Sequence, residues 1–200
     1  VSKGRVEAFS DGVFAVAITI LVFNVIPPKV ASGQLWHALG EQWPTYAAYV
    51  ASFMTVGIMW INHHAMFMRI SHVDRPLLIL NLLLLMVIVL VPFPTSLMGQ
   101  YVPAGGADAR AAATVYAGLA VVISLCFTSI WLYTLTHPAV MVPGIDRDLA
   151  LKMAPRFSLG FVMYVLCLPL AQVSPIAVVF VLGLTAVYYA YERLPEPAPH

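Results

Sequence analysis

The feature that most constrains this chain is the bunching of its charges. No Asp, Glu, Lys or Arg lies between Asp11 and Lys29, between Glu41 and Arg69, between Arg75 and Asp108, between Arg110 and Asp146, or between Arg156 and Glu192. A helix needs roughly 20 mostly apolar residues to cross the hydrocarbon core of a bilayer. The stretches accommodate six apolar runs: 5–26, 43–70, 76–98, 111–135, 155–171 and 175–191. At about 1.5 Å per helical residue the first is roughly 33 Å long, enough for a core of about 30 Å. Its length also argues against a cleaved leader, so it is expected to remain as a span. Composition agrees. Only 10% of the chain is charged and 61% is hydrophobic, against about 25% charged residues in a soluble domain. There is too little polar material to cover a water-facing surface. The expected fold is all-α, a polytopic membrane protein with six transmembrane helices.

The basic residues orient it. With the N-terminus inside, Lys3, Arg5, Arg69, Arg75, Arg147, Lys152, Arg156 and Arg193 fall on the cytoplasmic side. That leaves Lys29 and Arg110 of the 10 Lys and Arg outside, a strong positive-inside bias that places both termini in the cytoplasm. Trp36 and Trp43 sit where the second run meets the outer interface, as aromatic anchors do. A six-helix domain over 1–193 is expected, followed by a disordered tail 194–200, whose prolines cannot continue a helix. The net charge of +1 suggests no nucleic-acid partner. Cys126 and Cys167 lie in apolar runs without a neighbour at redox or metal-ligand spacing, and read as packing residues.

Polar residues inside spans are costly and therefore informative. The first run opens with Arg5, Glu7, Ser10 and Asp11. The second carries Trp60, Asn62, His63 and His64 near its cytoplasmic end, and the third carries Asn81 about a turn and a half in. These positions fall at one depth. Arg5 and Asp11 are about 120° apart on one helix, so each is expected to reach a neighbouring helix. Asp11 would turn to a histidine or tryptophan N–H, and Arg5 to a carboxylate or carbonyl. Glu7 reads as a headgroup-level residue. His63 and His64 point about 100° apart, and no Cys, Asp or Glu lies three or four residues from either, so no metal site is expected. Pro92 and Pro94 should kink the outer end of the third helix and free backbone carbonyls there.

The opening Arg5-Val-Glu-Ala-Phe9-Ser10-Asp11 fits an R-x-x-x-F-S-D signature. With Trp60-Ile-Asn62-His63-His64 and Asn81…Pro92-Phe93-Pro94-Thr95, in that order on successive helices, the first half of the chain resembles the transmembrane protein 175 family. Its members are potassium channels of animal endolysosomes and of prokaryotes. The resemblance implies a homotetramer in a prokaryotic plasma membrane, with the first helix of each subunit lining a central pore for K⁺. No further cofactor is implied. It places pore-facing layers at Val16, Thr19, Ile20 and Phe23. A supporting network would hold that helix, formed by Arg5, Phe9, Ser10, Asp11, Trp60, Asn62, His63, His64 and Asn81. Val16 stands where isoleucine or leucine is usual, and Phe23 where an aliphatic residue is usual. Val16, Ile20 and Phe23 are spaced i, i+4, i+7, a single stripe with Thr19 beside it. Stacked apolar rings dewet when narrow and would gate the pore, while Thr19 hydroxyls would replace part of the K⁺ hydration shell. There is no T-V-G-Y-G filter. The rival is a proton-coupled or small-solute transporter using Asp11 with His63 and His64. It calls for repeats and a broken helix at mid-membrane, and no repeat is found. An enzyme is not expected, since Ser10 with His64 is the only conceivable nucleophile–base pair.

Overall fold

The computed structural model describes residues 2–143 and 147–191, apart from the side chains of 147–159, 186 and 189–191. The tail 194–200 and the charges of Arg147, Lys152, Arg156 and Arg193 lie outside what is described. Among the described residues every regular element is helical, apart from one antiparallel bridge between Ile70 and Met141. The elements are α1 (Lys3–Ile20), α2 (Leu35–Glu41), α3 (Trp43–Phe67), α4 (Arg75–Ile88), α5 (Pro92–Tyr101), α6 (Gly106–Thr136), α7 (Arg147–Val173) and α8 (Pro175–Tyr191). Among the described residues four stretches, Lys3–Asn24, Trp43–Phe67, Arg75–Tyr101 and Gly106–Thr136, are long and apolar enough to cross a membrane. Gly160–Val173 within α7 and Pro175–Thr185 within α8 are shorter apolar stretches. The six runs reappear in order as helices.

Three features differ from the sequence expectation. The first run is α-helical only to Ile20 and finishes as a 3-10 turn, Leu21–Asn24, before Pro27-Pro28. Between the first two spans lies α2, a short helix with no apolar periodicity to announce it. The third run is two helices, because Pro92 and Pro94 have no N–H to give the carbonyls four residues earlier. Those carbonyls, Ile88 and Leu90, are not left free. They accept i+3 bonds from the N–H groups of Val91 and Phe93, at 3.0 Å each.

The other boundaries follow local chemistry. Asp74 caps α4, its carboxylate accepting from the Leu77 N–H at 3.0 Å, with Pro76 in the first turn, where a missing N–H costs nothing. Before α6, Gly105 and Gly106 both adopt positive φ (69° and 75°), a turn that side-chain-bearing residues resist. Only Ser174 separates α7 from α8, so the two form a tight hairpin.

Two cores hold the bundle. One joins α1, α3, α4 and the C-terminal half of α6 through large side chains, among them Phe14, Phe67, Leu84 and Trp131. The other joins α6, α7 and α8 and is richer in small side chains, Ala113, Ala117, Cys167 and Ala171, packed with Tyr116, Tyr164, Val178 and Leu182. Cys126 packs half-buried against the first.

Candidate ion path and the network behind it

An ideal helix turns 100° per residue, which sorts α1 into two faces. Val6, Ser10, Phe14 and Ala17 are buried, and Leu21 in the following turn continues their row. Arg5, Phe9, Gly12, Val16, Thr19 and Phe23 lie on the opposite side, where the bundle does not reach. Val16 is 53% exposed, Ile20 37% and Phe23 74%. The Thr19 hydroxyl donates to the Ala15 carbonyl at 2.7 Å. Its single proton is thereby engaged along its own helix, and its lone pairs stay available.

Behind this face the polar residues form two separate chains. In the first, Ser10 donates to the Val6 carbonyl at 2.8 Å and accepts from Asn81 Nδ2 at 3.0 Å. The Asn81 carbonyl oxygen lies 2.8 Å from His63 Nε2. An amide oxygen can only accept, so this geometry puts the His63 proton on Nε2. The three side chains are fully buried. The His63 ring stacks on Phe67 at 4.3 Å and tilts against Phe14 at 5.4 Å. One residue from each of α1, α3 and α4 therefore fixes the rotation of all three helices.

The second chain lies at the exposed edge. Trp60 Nε1 donates to Asp11 Oδ1 at 2.8 Å, and the indole stacks on His64 with centroids 6.2 Å apart. Asp11 thus reaches a tryptophan N–H, one of its two expected partner types. Arg5, Phe9 and Asn62 stand outside both chains. Arg5 is exposed and its side chain makes no hydrogen bond or ion pair among the described residues, Phe9 is 56% exposed, and Asn62 is half-buried. The expected Arg5 contact with a neighbouring helix is absent within one subunit, because its position on α1 points away from α3 and α4. Glu7 pairs with Lys3 one turn earlier at 3.7 Å. Among the described residues no group of three or more His, Cys, Asp or Glu is placed to hold a metal ion.

Two contacts escaped the sequence reading. Asn24 Nδ2 donates to the Pro92 carbonyl at 3.0 Å, across 68 residues. The Ser52 hydroxyl lies 2.9 Å from the Tyr116 hydroxyl and 2.7 Å from that of Thr95, joining α3, α6 and α5. Asn24 carried a usable signal, a lone amide in an apolar run. The hydroxyls carried none, since each also fits a lone residue bonded to its own helix.

Comparison with known proteins supplies the family. The model of the endosomal/lysosomal potassium channel TMEM175 matches residues 5–92. A potassium channel of Streptomyces collinus is 45% identical over 196 residues, covering 98% of this chain and 95% of that protein. The crystal structure of a lysosomal potassium-selective channel TMEM175 homolog from Chamaesiphon minutus superposes with a TM-score of 0.84 at 36% identity, over 94% of this chain and 96% of that one. The endosomal/lysosomal proton channel TMEM175 of Bos taurus is 42% identical over 91 residues, 41% of this chain and 19% of that protein. These relatives are channels and not enzymes. With identity of this level over nearly its whole length, the chain belongs to the TMEM175 family of membrane ion channels.

Proposed function

We propose that the chain is one subunit of a homotetrameric K⁺-selective channel in a prokaryotic plasma membrane, with both termini cytoplasmic and α1 of each copy lining the pore. Residues 1–193 act as one channel-forming unit. A single observation carries the reading: the Val16–Thr19–Ile20–Phe23 face is bare while the opposite face of the same helix is pinned by Ser10, Phe14 and Ala17. A helix held that firmly by its own bundle presents a defined surface to other copies. Val16, Ile20 and Phe23 supply apolar rings that dewet when narrow. Thr19 supplies an oxygen layer, and its bond to Ala15 turns acceptor lone pairs, not a proton, toward a cation. K⁺ is the permeant ion. The buried Ser10–Asn81–His63 chain and the Asp11–Trp60 pair position α1 and lie off the ion path.

The transporter reading has less support. Asp11 and His63 belong to different hydrogen-bonded chains, so no relay connects them. The proton-channel relatives make proton permeation the second reading.

The test is a flux assay on the purified tetramer in liposomes, driven separately by K⁺, Na⁺ and pH gradients. K⁺ flux exceeding Na⁺ flux is expected. Thr19→Ala should move the bi-ionic K⁺/Na⁺ reversal potential toward zero while currents persist. An unchanged reversal potential removes Thr19 from selectivity, and a silent K⁺ arm beside an active pH arm favours protons.

A further inference from the structure

The end of α1 is built differently from the rest of it. Leu21–Asn24 is a 3-10 turn, closed by the Val25 N–H on the Val22 carbonyl at 2.9 Å. In a 3-10 turn side chains three apart eclipse, whereas in an α-helix they step back by about 60°. The tightening therefore swings Phe23 off the row of Val16, where α-helical spacing would put it, toward that of Ile20. It leaves Leu21 fully buried and Phe23 74% exposed. A lone 3-10 turn has poor hydrogen-bond geometry and needs an external hold.

Asn24 is the one polar side chain in that turn, and its amide reaches the Pro92 carbonyl at 3.0 Å. Pro92 sits at the elbow between α4 and α5, which is itself braced from behind. The Thr95 hydroxyl lies 2.8 Å from the Val91 carbonyl and 2.7 Å from Ser52, which lies 2.9 Å from Tyr116. The Asn24 bond thus ties the outer end of α1 to a point that α3 and α6 hold in place.

We propose that Asn24 is a positioning residue for conduction: its amide latches the last turn of α1 to the α4–α5 elbow and so sets how far Phe23 closes the outer pore. The proposal rests on the channel reading. Without the latch the turn relaxes toward α-helical geometry, Phe23 returns to the row of Val16 on the pore-facing stripe, and the constriction narrows. Thr19 lies before the turn and is not affected.

The experiment compares single-channel records of the full-length tetramer in planar bilayers. Asn24→Leu keeps the volume and removes the donor; Asn24→Gln keeps an amide. Asn24→Leu is expected to lower the open-to-closed ratio about fivefold, the factor that one hydrogen bond of ordinary net strength supplies. The K⁺/Na⁺ reversal potential should stay put, and Asn24→Gln should restore part of the wild-type ratio. In a Phe23→Ala background the same Leu substitution should add nothing, because the ring it releases is gone. A wild-type ratio in Asn24→Leu, or equal effects with and without Phe23, overturns the proposal. If Asn24→Leu does not assemble, Asn24→Ala takes its place. Failure of both to assemble also counts against a latch, which the bundle does not need in order to form. A wild-type tetramer without K⁺ current is a different result, and it sinks the channel reading itself.

Discussion

The two ends of the bundle are held together by different physics. Around α1, α3 and α4, bulky side chains such as Phe14, Phe67 and Leu84 enclose a chain of directed hydrogen bonds through Ser10, Asn81 and His63. Around α6, α7 and α8 small residues such as Ala113, Ala117 and Ala171 pack with Tyr116, Tyr164, Val178 and Leu182, and the hydrogen bond from Gln172 to Thr114 lies at the exposed edge. Small residues let helix backbones approach closely, which is how helices associate in lipid, where apolar burial between them supplies little drive. Close approach sets distance well and rotation poorly. A hydrogen bond sets rotation, because donor and acceptor must meet within a few tenths of an ångström. The helix whose bare face matters most, α1, is on the hydrogen-bonded side. The difference teaches that rotational precision is concentrated where the proposed ion path needs it.

Asn81→Leu tests that contrast most severely. It orphans the buried His63 N–H, a loss of about 1–3 kcal/mol. It also removes the bond to Ser10, worth about 0.6 kcal/mol in membrane proteins on average. Destabilisation of about 2–3 kcal/mol is expected in denaturant unfolding of the purified protein. Freed to rotate, α1 should also lose K⁺ over Na⁺ preference in reversal-potential measurements. Stability lost without any change in preference would mean that something other than this chain sets the rotation of α1.

Ala117→Leu is the matching lesion on the other side. Ala117 is fully buried, and an inserted side chain overpacks the contact by about 1–2 kcal/mol. The melting temperature should fall, and the reversal potential should not move. A shift in ion preference as large as that of Asn81→Leu would erase the distinction between the two regions.

Much of this was legible in the residues. Charge-free runs located the helices, since lipid tolerates no unpaired backbone and few charges. The polar residues Ser10, Asp11, Trp60, His63 and Asn81 fell at one depth, and the structure brings them into contact as two chains. What resisted reading was the orientation of α1. It is apolar nearly all round, so its pattern does not separate Phe14, which is buried, from Val16, which is 53% exposed. That choice is made by neighbouring helices. The 3-10 ending of α1 and the Ser52–Tyr116–Thr95 contact depend likewise on partners far along the chain. Arg5 marks the opposite case: a charge expected to find a partner has no side-chain partner among the described residues of the subunit.

The smallest effect is expected at the end of the hydrogen-bonded region, between α4 and α6. Asp74 caps α4 through the Leu77 N–H and also accepts from the Tyr133 hydroxyl near the end of α6. Partial burial pushes its carboxyl up. The hydrogen bonds from Tyr133 and Leu77 and the charges of His137 and His72 outweigh this, holding it below the ordinary 3.8. A carboxyl that ionises at lower pH in the folded state than in the unfolded one contributes stability that is present above the unfolded value. That contribution drains away as pH falls through the folded value. Asp74 is partly exposed, so solvent screening keeps the contribution small. Asn caps a helix about as well as Asp, which leaves mainly the charge-assisted bond to Tyr133. Asp74→Asn should cost less than about 1 kcal/mol at neutral pH, and its melting temperature should converge on that of the wild type as pH drops below 3.8. Melting curves from pH 7 to pH 3 decide it. Convergence makes Asp74 an ionic tie between α4 and α6 within the first core. A difference that stays constant across the range makes it only a cap on α4, with the two helices joined at that end by apolar contact alone.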